Sequence, residues 1–285
     1  MDTAGTINGV SDFISVVEGW ERKFFDPGKG FPPIWYRGQG DSSWGLTPGV
    51  LRPPFLKMVQ DAEVQHTNDR DLQILIRERT LNKQFIRMGA SWFPATSGLV
   101  LKYFLAQHHG LPTRLLDWTT NPLAALYFCV SSSPDKDGSV FVMNPRFAIP
   151  NEPEPKETEE ESGIHKFVYP PDVVEDHHAL VSNIIGYVCG RDGSSNHEKP
   201  FVLPIFPDLV AGRIYQQGSC FTLHMPKAPS LETIAGASRL EKYVIPQSQK
   251  ESIRITLRRM NVMEATLFCD LDHLAREIKS AYGLP

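Results

Sequence analysis

Between Phe104 and Val130 the chain reads FLAQHHGLPTRLLDWTTNPLAALYFCV, and this stretch limits the possible folds more tightly than any other. Leu99, Val100, Tyr103 and Phe104 recur at helical spacing, with Ser97 as the expected N-cap, Gly110 as the stop and Pro112 shortly beyond. His109 then stands at a helix end. Asn121 followed by Pro122 opens a second helix, because the Asn side chain caps orphan N–H groups and Pro at the first position forfeits only a donor that is unpaired anyway. That helix, Leu123 to Val130, is almost wholly apolar and must be buried. Leu111 to Thr120 is therefore read as a short loop pinned at both ends, presenting Thr113, Arg114, Asp117, Thr119 and Thr120 from a rigid frame. The helix N-terminus beside it offers positive dipole to an anion.

These polar residues admit two readings. Arg114 and Asp117 are either a buried ion pair that clamps the loop or groups that face a ligand. His109 either satisfies carbonyls at its helix end or acts as a base. The two histidines do not read as zinc ligands, because adjacent residues point apart and no Cys or His stands at finger spacing nearby.

With 285 residues, 41% hydrophobic and 22% charged, the chain has material for a sizeable core. A net charge of -4 supplies no bulk attraction to nucleic acid or to an anionic membrane. The first residues lack a basic segment followed by an apolar one, and no apolar run is long enough to span a bilayer, so a cytoplasmic location is expected. Cys129, Cys189, Cys220 and Cys269 are widely spaced among apolar residues, as reduced core thiols are.

Along the chain, Val10, Phe13, Ile14, Val17 and Trp20 mark an amphipathic helix. Ile34, Trp35 and Tyr36 form a strand running into Arg37, Gly38 and Gln39, where glycine lets a ligand or another backbone approach and Arg37 ends the strand. Trp44 to Pro54 is irregular and is expected over a site or an edge. Asp69 to Met88 reads as a helix with Leu72, Leu75, Ile76, Phe85 and Met88 inward and its Glu and Arg residues solvated. Gly138 to Met143 is a strand, Asn151 to Gly163 an exposed, mobile acidic loop, and Phe201 to Phe206 a strand whose Pro204 indicates an edge or a bulge. Gln216 and Gln217 precede an alternating strand, Tyr243 to Pro246 reads as a further strand, and two helical patterns follow, the last capped by Asp270. No P-loop, GxGxxG, HExxH or GxSxG occurs. The irregular interleaving predicts one α+β domain over residues 1–285, with a split, mixed β core flanked by helices.

The segments WYRGQ, AQHHGLPTRLLDWTTNPLAALYF, RIYQQGSCFTL and YVIPQSQKESIRITLRRMNVMEATLFCDLDHLA together resemble the FRG domain, a bacterial family named for an aromatic-Arg-Gly motif. More distantly, the chain resembles ADP-ribosyltransferases of the Arg-Ser-Glu type. Tyr36-Arg37-Gly38 looks like their first motif, and Asp117 to Cys129 looks like their second, a strand leading into an Ala-x-x-Phe-Ala helix. Where their third motif carries Glu, this chain has Gln217 before one late strand, with Glu241 near the start of another. The resemblance implies an ADP-ribosyltransferase-like fold and a site of Arg37, Gly38, Gln39, Arg114 and Thr119 around NAD. By that resemblance NAD is the expected substrate, and no metal is expected. Arg37, His109, Asp117 and Gln217 are the expected catalytic residues, with Asp117 standing in for the missing Glu. The implied activity cleaves the nicotinamide bond and passes ADP-ribose to water or to an unknown macromolecular acceptor, as a toxin or phage-defence effector would. A non-catalytic nucleotide- or protein-binding module, serving a regulatory partner, is the alternative.

Overall fold

The strands that carry the two motifs lie side by side in the middle of a seven-stranded mixed sheet. The computed structural model describes residues 1–25, 33–61, 69–94, 97–145, 185–186, 189, 202–207, 216–225, 228, 230–235 and 239–284. The expected acidic loop at 151–163, and residues 212–215 before the two glutamines, lie outside them. In chain order the strands are β1 (Thr3–Thr6), β2 (Trp35–Gln39), β3 (Leu115–Thr119), β4 (Gly138–Met143), β5 (Val202–Ile205), β6 (Ser219–His224) and β7 (Leu240–Ile245). Their spatial order is β1-β7-β4-β2-β3-β6-β5, with β1 and β7 parallel and every other neighbour antiparallel. Pro204 sits on β5, the edge strand, where a missing N–H costs no central ladder bond.

Helices α1 (Val10–Phe24), α2 (Pro53–Asp61), α3 (Arg70–Met88), α4 (Leu99–His108), α5 (Pro122–Val130), α6 (Leu231–Ala235), α7 (Gln247–Arg259), α8 (Glu264–Phe268) and α9 (Leu271–Ala281) flank this sheet. On one face α1, α5 and α7 bury Phe13, Val17, Trp20, Leu126, Ile253 and Leu257 against Tyr36, Val140 and Val142. On the β3-β6-β5 side, α3 and α4 bury Leu75, Val100, Tyr103 and Phe104 against Leu115, Phe221 and Leu223. A third cluster joins Trp35, Leu116, Trp118 and Phe141 to Leu231 of α6. β4 is buried at all six positions, as a central strand covered on both faces must be.

Asn121 caps α5 by accepting from Leu123 N and Ala124 N, with Pro122 in the first turn. Ser97 does not cap α4; Gly98 occupies that position without a side-chain bond, and Gly110, at φ +83, closes the other end. Leu111 to Thr120 is not one loop, because Leu115–Thr119 is a strand. In α3, capped by Asp69, the inward stripe is Ile74, Leu75, Glu78 and Asn82, whereas Leu72 and Met88 are exposed. Cys129, Cys189 and Cys220 are buried thiols, but Cys269 is exposed, at φ +53 just past α8. Among the described residues no helix is long and apolar enough to cross a membrane.

Candidate functional site

The site forms where the sheet opens. β2 follows β4 and β3 follows β6 along their whole lengths, but β2 and β3 share one register position, Tyr36 opposite Thr119. Beyond it the strands part, and a carbonyl that loses its ladder partner needs another donor. At Asp117 that donor is a side chain. Arg37 Nη1 donates to the Asp117 carbonyl at 2.5 Å and stands 3.7 Å from the Asp117 carboxylate.

The two partners sit in different media, Arg37 with a side chain 13% exposed and Asp117 with one 53% exposed. Burial draws the Arg37 guanidinium down to about 10, with Asp117 opposing that shift and the charge of Arg52 adding to it. Arg37 Nε is buried without a hydrogen-bond partner among the described residues. Gln107, in the last turn of α4, donates Nε2 to both Asp117 carboxylate oxygens at 3.0 and 3.1 Å, and its own Oε1 accepts from the Thr113 hydroxyl. The carboxylate thus accepts hydrogen bonds from Gln107 of α4 and has the Arg37 guanidinium of β2 beside it as an ion-pair partner.

The strand next to β3 brings Gln217. Gly218 adopts φ +57, where a Cβ would stand 2.7 Å from Thr120 Oγ1, and its carbonyl accepts from Thr120 N at 2.9 Å. The Thr119 hydroxyl donates to the Gln217 carbonyl and accepts from Asn121 N at 2.8 Å. Thr119 therefore ties the start of α5 to the start of β6. Gln217 Nε2 in turn donates to the Leu267 carbonyl of α8 at 3.1 Å.

Together these groups line a cleft of about 1300 Å3, in which Arg37, Gln39, Arg52, His108, Asp117 and Gln217 meet an apolar lip that includes Trp44, Phe55, Met58 and Phe128. The irregular stretch from Trp44 to Pro54 does lie over the site. Gly38 lines the cleft as well, but the neighbour that demands glycine is α5, since a Cβ would come within 1.8 Å of the Ala125 carbonyl oxygen. Gln39 is 5% exposed; its Nε2 donates to the Gly45 carbonyl at 3.2 Å, and its Oε1 has no partner among the described residues.

Of the residues expected from sequence, Arg37, Gly38, Gln39, Asp117, Thr119 and Gln217 come together here, and His109 and Arg114 do not. His109 caps α4 as an exposed residue beside the rings of Phe85 and His108, while His108 lines the cleft. Arg114 is buried at 2% side-chain exposure against Glu78 at 0%, with Nε 2.7 Å from the carboxylate. The expected Arg114–Asp117 pair does not exist because residues three apart along extended chain point to opposite faces. Glu78, expected on a solvated helix face, also accepts from the Tyr103 hydroxyl at 2.7 Å and from Arg114 N at 3.2 Å. Glu241 accepts from Trp20 Nε1 and Tyr243 under α1, away from the cleft. Among the described residues no three His, Cys, Asp or Glu side chains gather as a metal would require.

The stretch that builds the opening, from the start of β2 through α5, belongs to a known kind of domain. Residues 32–138 match the FRG domain. No curated protein and no solved structure matches the chain. The FRG match ends at the first residue of β4, so it contains Arg37, Arg52, Gln107 and Asp117 but neither β6 nor Gln217. Gln107 and Arg52 are not among the expected site residues. Gln107 stands in the AQHHG segment, three residues before the helix stop, and nothing in the pattern distinguishes Arg52.

Proposed function

We propose that the cleft of this FRG-domain protein binds NAD and breaks the bond between its nicotinamide and ribose, passing ADP-ribose to water or to a macromolecular nucleophile. The observation that carries the reading is the pairing of Arg37 with Asp117 across the open seam between β2 and β3, where a buried cation and an oriented carboxylate face one cleft. As the glycosidic bond breaks, its electron pair leaves with nicotinamide and positive charge develops on the ribose. A fixed carboxylate stabilises that charge best when it needs no reorganisation, and Gln107 and Arg37 hold Asp117 in that way. The incoming nucleophile completes the balance by bonding to the ribose carbon and releasing one proton. Buried Arg37, which retains its charge at neutral pH, serves the anionic part of the ligand.

A non-catalytic nucleotide-binding module is the second reading, favoured by Gln217. Its amide carries no charge, and its nitrogen is committed to the Leu267 carbonyl. The two readings separate in one set of assays: NAD binding and nicotinamide release by wild type, Arg37→Ala and Asp117→Asn. Catalysis predicts that wild type releases nicotinamide, that Asp117→Asn binds NAD but turns over at least about a hundredfold more slowly, and that Arg37→Ala loses binding. Wild type that binds NAD without releasing nicotinamide supports the binding module. Wild type that does neither rejects both.

A further inference from the structure

We propose that Arg52 is the second cation of a diphosphate-binding pair with Arg37, so that the cleft selects ligands carrying two linked phosphates over those carrying one. The inference rests on the NAD reading, deepens it, and names the part of the ligand that Arg37 and Arg52 hold. Arg52 follows the short helical turn Gly49–Leu51 and stands directly before α2. Within the described residues its guanidinium makes one hydrogen bond, from Nε to the Thr47 carbonyl at 3.0 Å, and its two terminal nitrogens have neither an acceptor nor a carboxylate. Arg37 is also incompletely used, its buried Nε having no hydrogen-bond partner among the described residues. Both arginines line the cleft, and the charge of Arg52 is felt at Arg37.

Charge along the cleft does not balance internally. Asp117 is the sole carboxylate among the described lining residues, which include the two guanidinium groups of Arg37 and Arg52. Burial of the Arg37 guanidinium carries a desolvation cost that Asp117 opposes and to which the charge of the exposed Arg52 adds. An anion with two charged centres a few ångströms apart would remove that cost, and planar guanidinium groups match phosphate oxygens in geometry as well as charge. The α2 end adds to the same field, because its first turn contains no acidic residue to neutralise the positive end of the helix dipole. A monophosphate can satisfy one guanidinium fully; a diphosphate satisfies both.

The test compares equilibrium binding of ADP-ribose and AMP, neither of which carries nicotinamide, to wild type, Arg52→Gln, Arg52→Lys and Arg22→Gln at fixed ionic strength. Arg22 is an exposed residue of α1 and serves as the control. The expected result is that wild type prefers ADP-ribose, that Arg52→Gln loses about tenfold or more for ADP-ribose while AMP changes little, and that Arg52→Lys retains part of the preference. Arg22→Gln should leave both affinities unchanged. ADP-ribose that binds wild type no better than AMP, an Arg52→Gln variant that keeps the full preference, or no binding of either ligand would each overturn the pair. This outcome is separable from catalysis: nicotinamide release with no Arg52 effect refutes the pair and leaves the NAD reading standing, whereas Arg52-dependent ADP-ribose binding without nicotinamide release does the reverse.

Discussion

Asp117 and Glu78 are carboxylates paired with arginines, yet they do different work, and the difference lies in burial. Asp117 is half-exposed and retains water on one side. Its replacement by Asn leaves Arg37 bonded to the main-chain carbonyl at position 117, so thermal or denaturant unfolding should show a loss of about 1 kcal/mol or less. Glu78 is sealed in with Arg114 and the Tyr103 hydroxyl. Burial raises its carboxyl above the usual range, and Arg114 opposes that rise. Glu78→Ala strands a buried guanidinium and should cost about 3–5 kcal/mol in the same experiment. The clamp that the sequence suggests around Asp117 therefore exists, but it is made by Glu78 and holds the segment leading into β3 from behind.

At the scale of elements, the contact of β2 with α5 sets how wide the seam opens. Gly38 allows the helix backbone to lie against the strand; Gly38→Ala must push them apart, with an expected loss of about 1–3 kcal/mol and a drop in NAD affinity from the displaced Arg37. Elements whose signals are local were legible in the chain: α1 from its apolar period, α5 from Asn121-Pro122, the edge position of β5 from Pro204, and the Arg37 strand from its aromatic run. β2 and β3, which carry the two motifs, are neighbours in the sheet, with Tyr36 opposite Thr119. What pattern could not show was set by pairing at a distance. β3 looked like loop because Asp117 and Thr119 interrupt it, and its partner β6 lies about a hundred residues on. The inward turn of α3 was misread because Glu78 and Asn82 occupy core positions, and a polar residue inside looks like any other until its partner is known. Gln107 shows its role only once Asp117 is brought beside it, and Arg52 only once the turn before α2 is folded over the cleft.

Across the whole molecule, acid should reveal a buried imidazole. His224 of β6 lies against the Thr222 hydroxyl, 3.0 Å away, which also accepts from Trp118 Nε1. Burial, with the positive charges of Arg114 and Arg37, draws its pKa down to about 3. In the unfolded chain the ring takes a proton near pH 6.5, so below that value the unfolded state binds more protons than the folded one. The contribution is present in full above about pH 6.5 and is lost toward pH 3, at no more than about 1.4 kcal/mol per pH unit. Unfolding curves between pH 7 and 5 should fall more steeply for wild type than for His224→Gln; parallel curves would mean that the ring is not kept neutral. On the proposed function, NAD would occupy the seam beside Arg37. Nitrogen-15 NMR of the arginine side chains reads it directly, because Arg37 lines the cleft with a buried Nε that has no hydrogen-bond partner among the described residues, while Arg114 lies outside the cleft with its Nε 2.7 Å from the Glu78 carboxylate. Addition of NAD should shift the Arg37 Nε–H signal and leave that of Arg114 in place; NAD binding or turnover with the Arg37 signal unmoved would contradict the account.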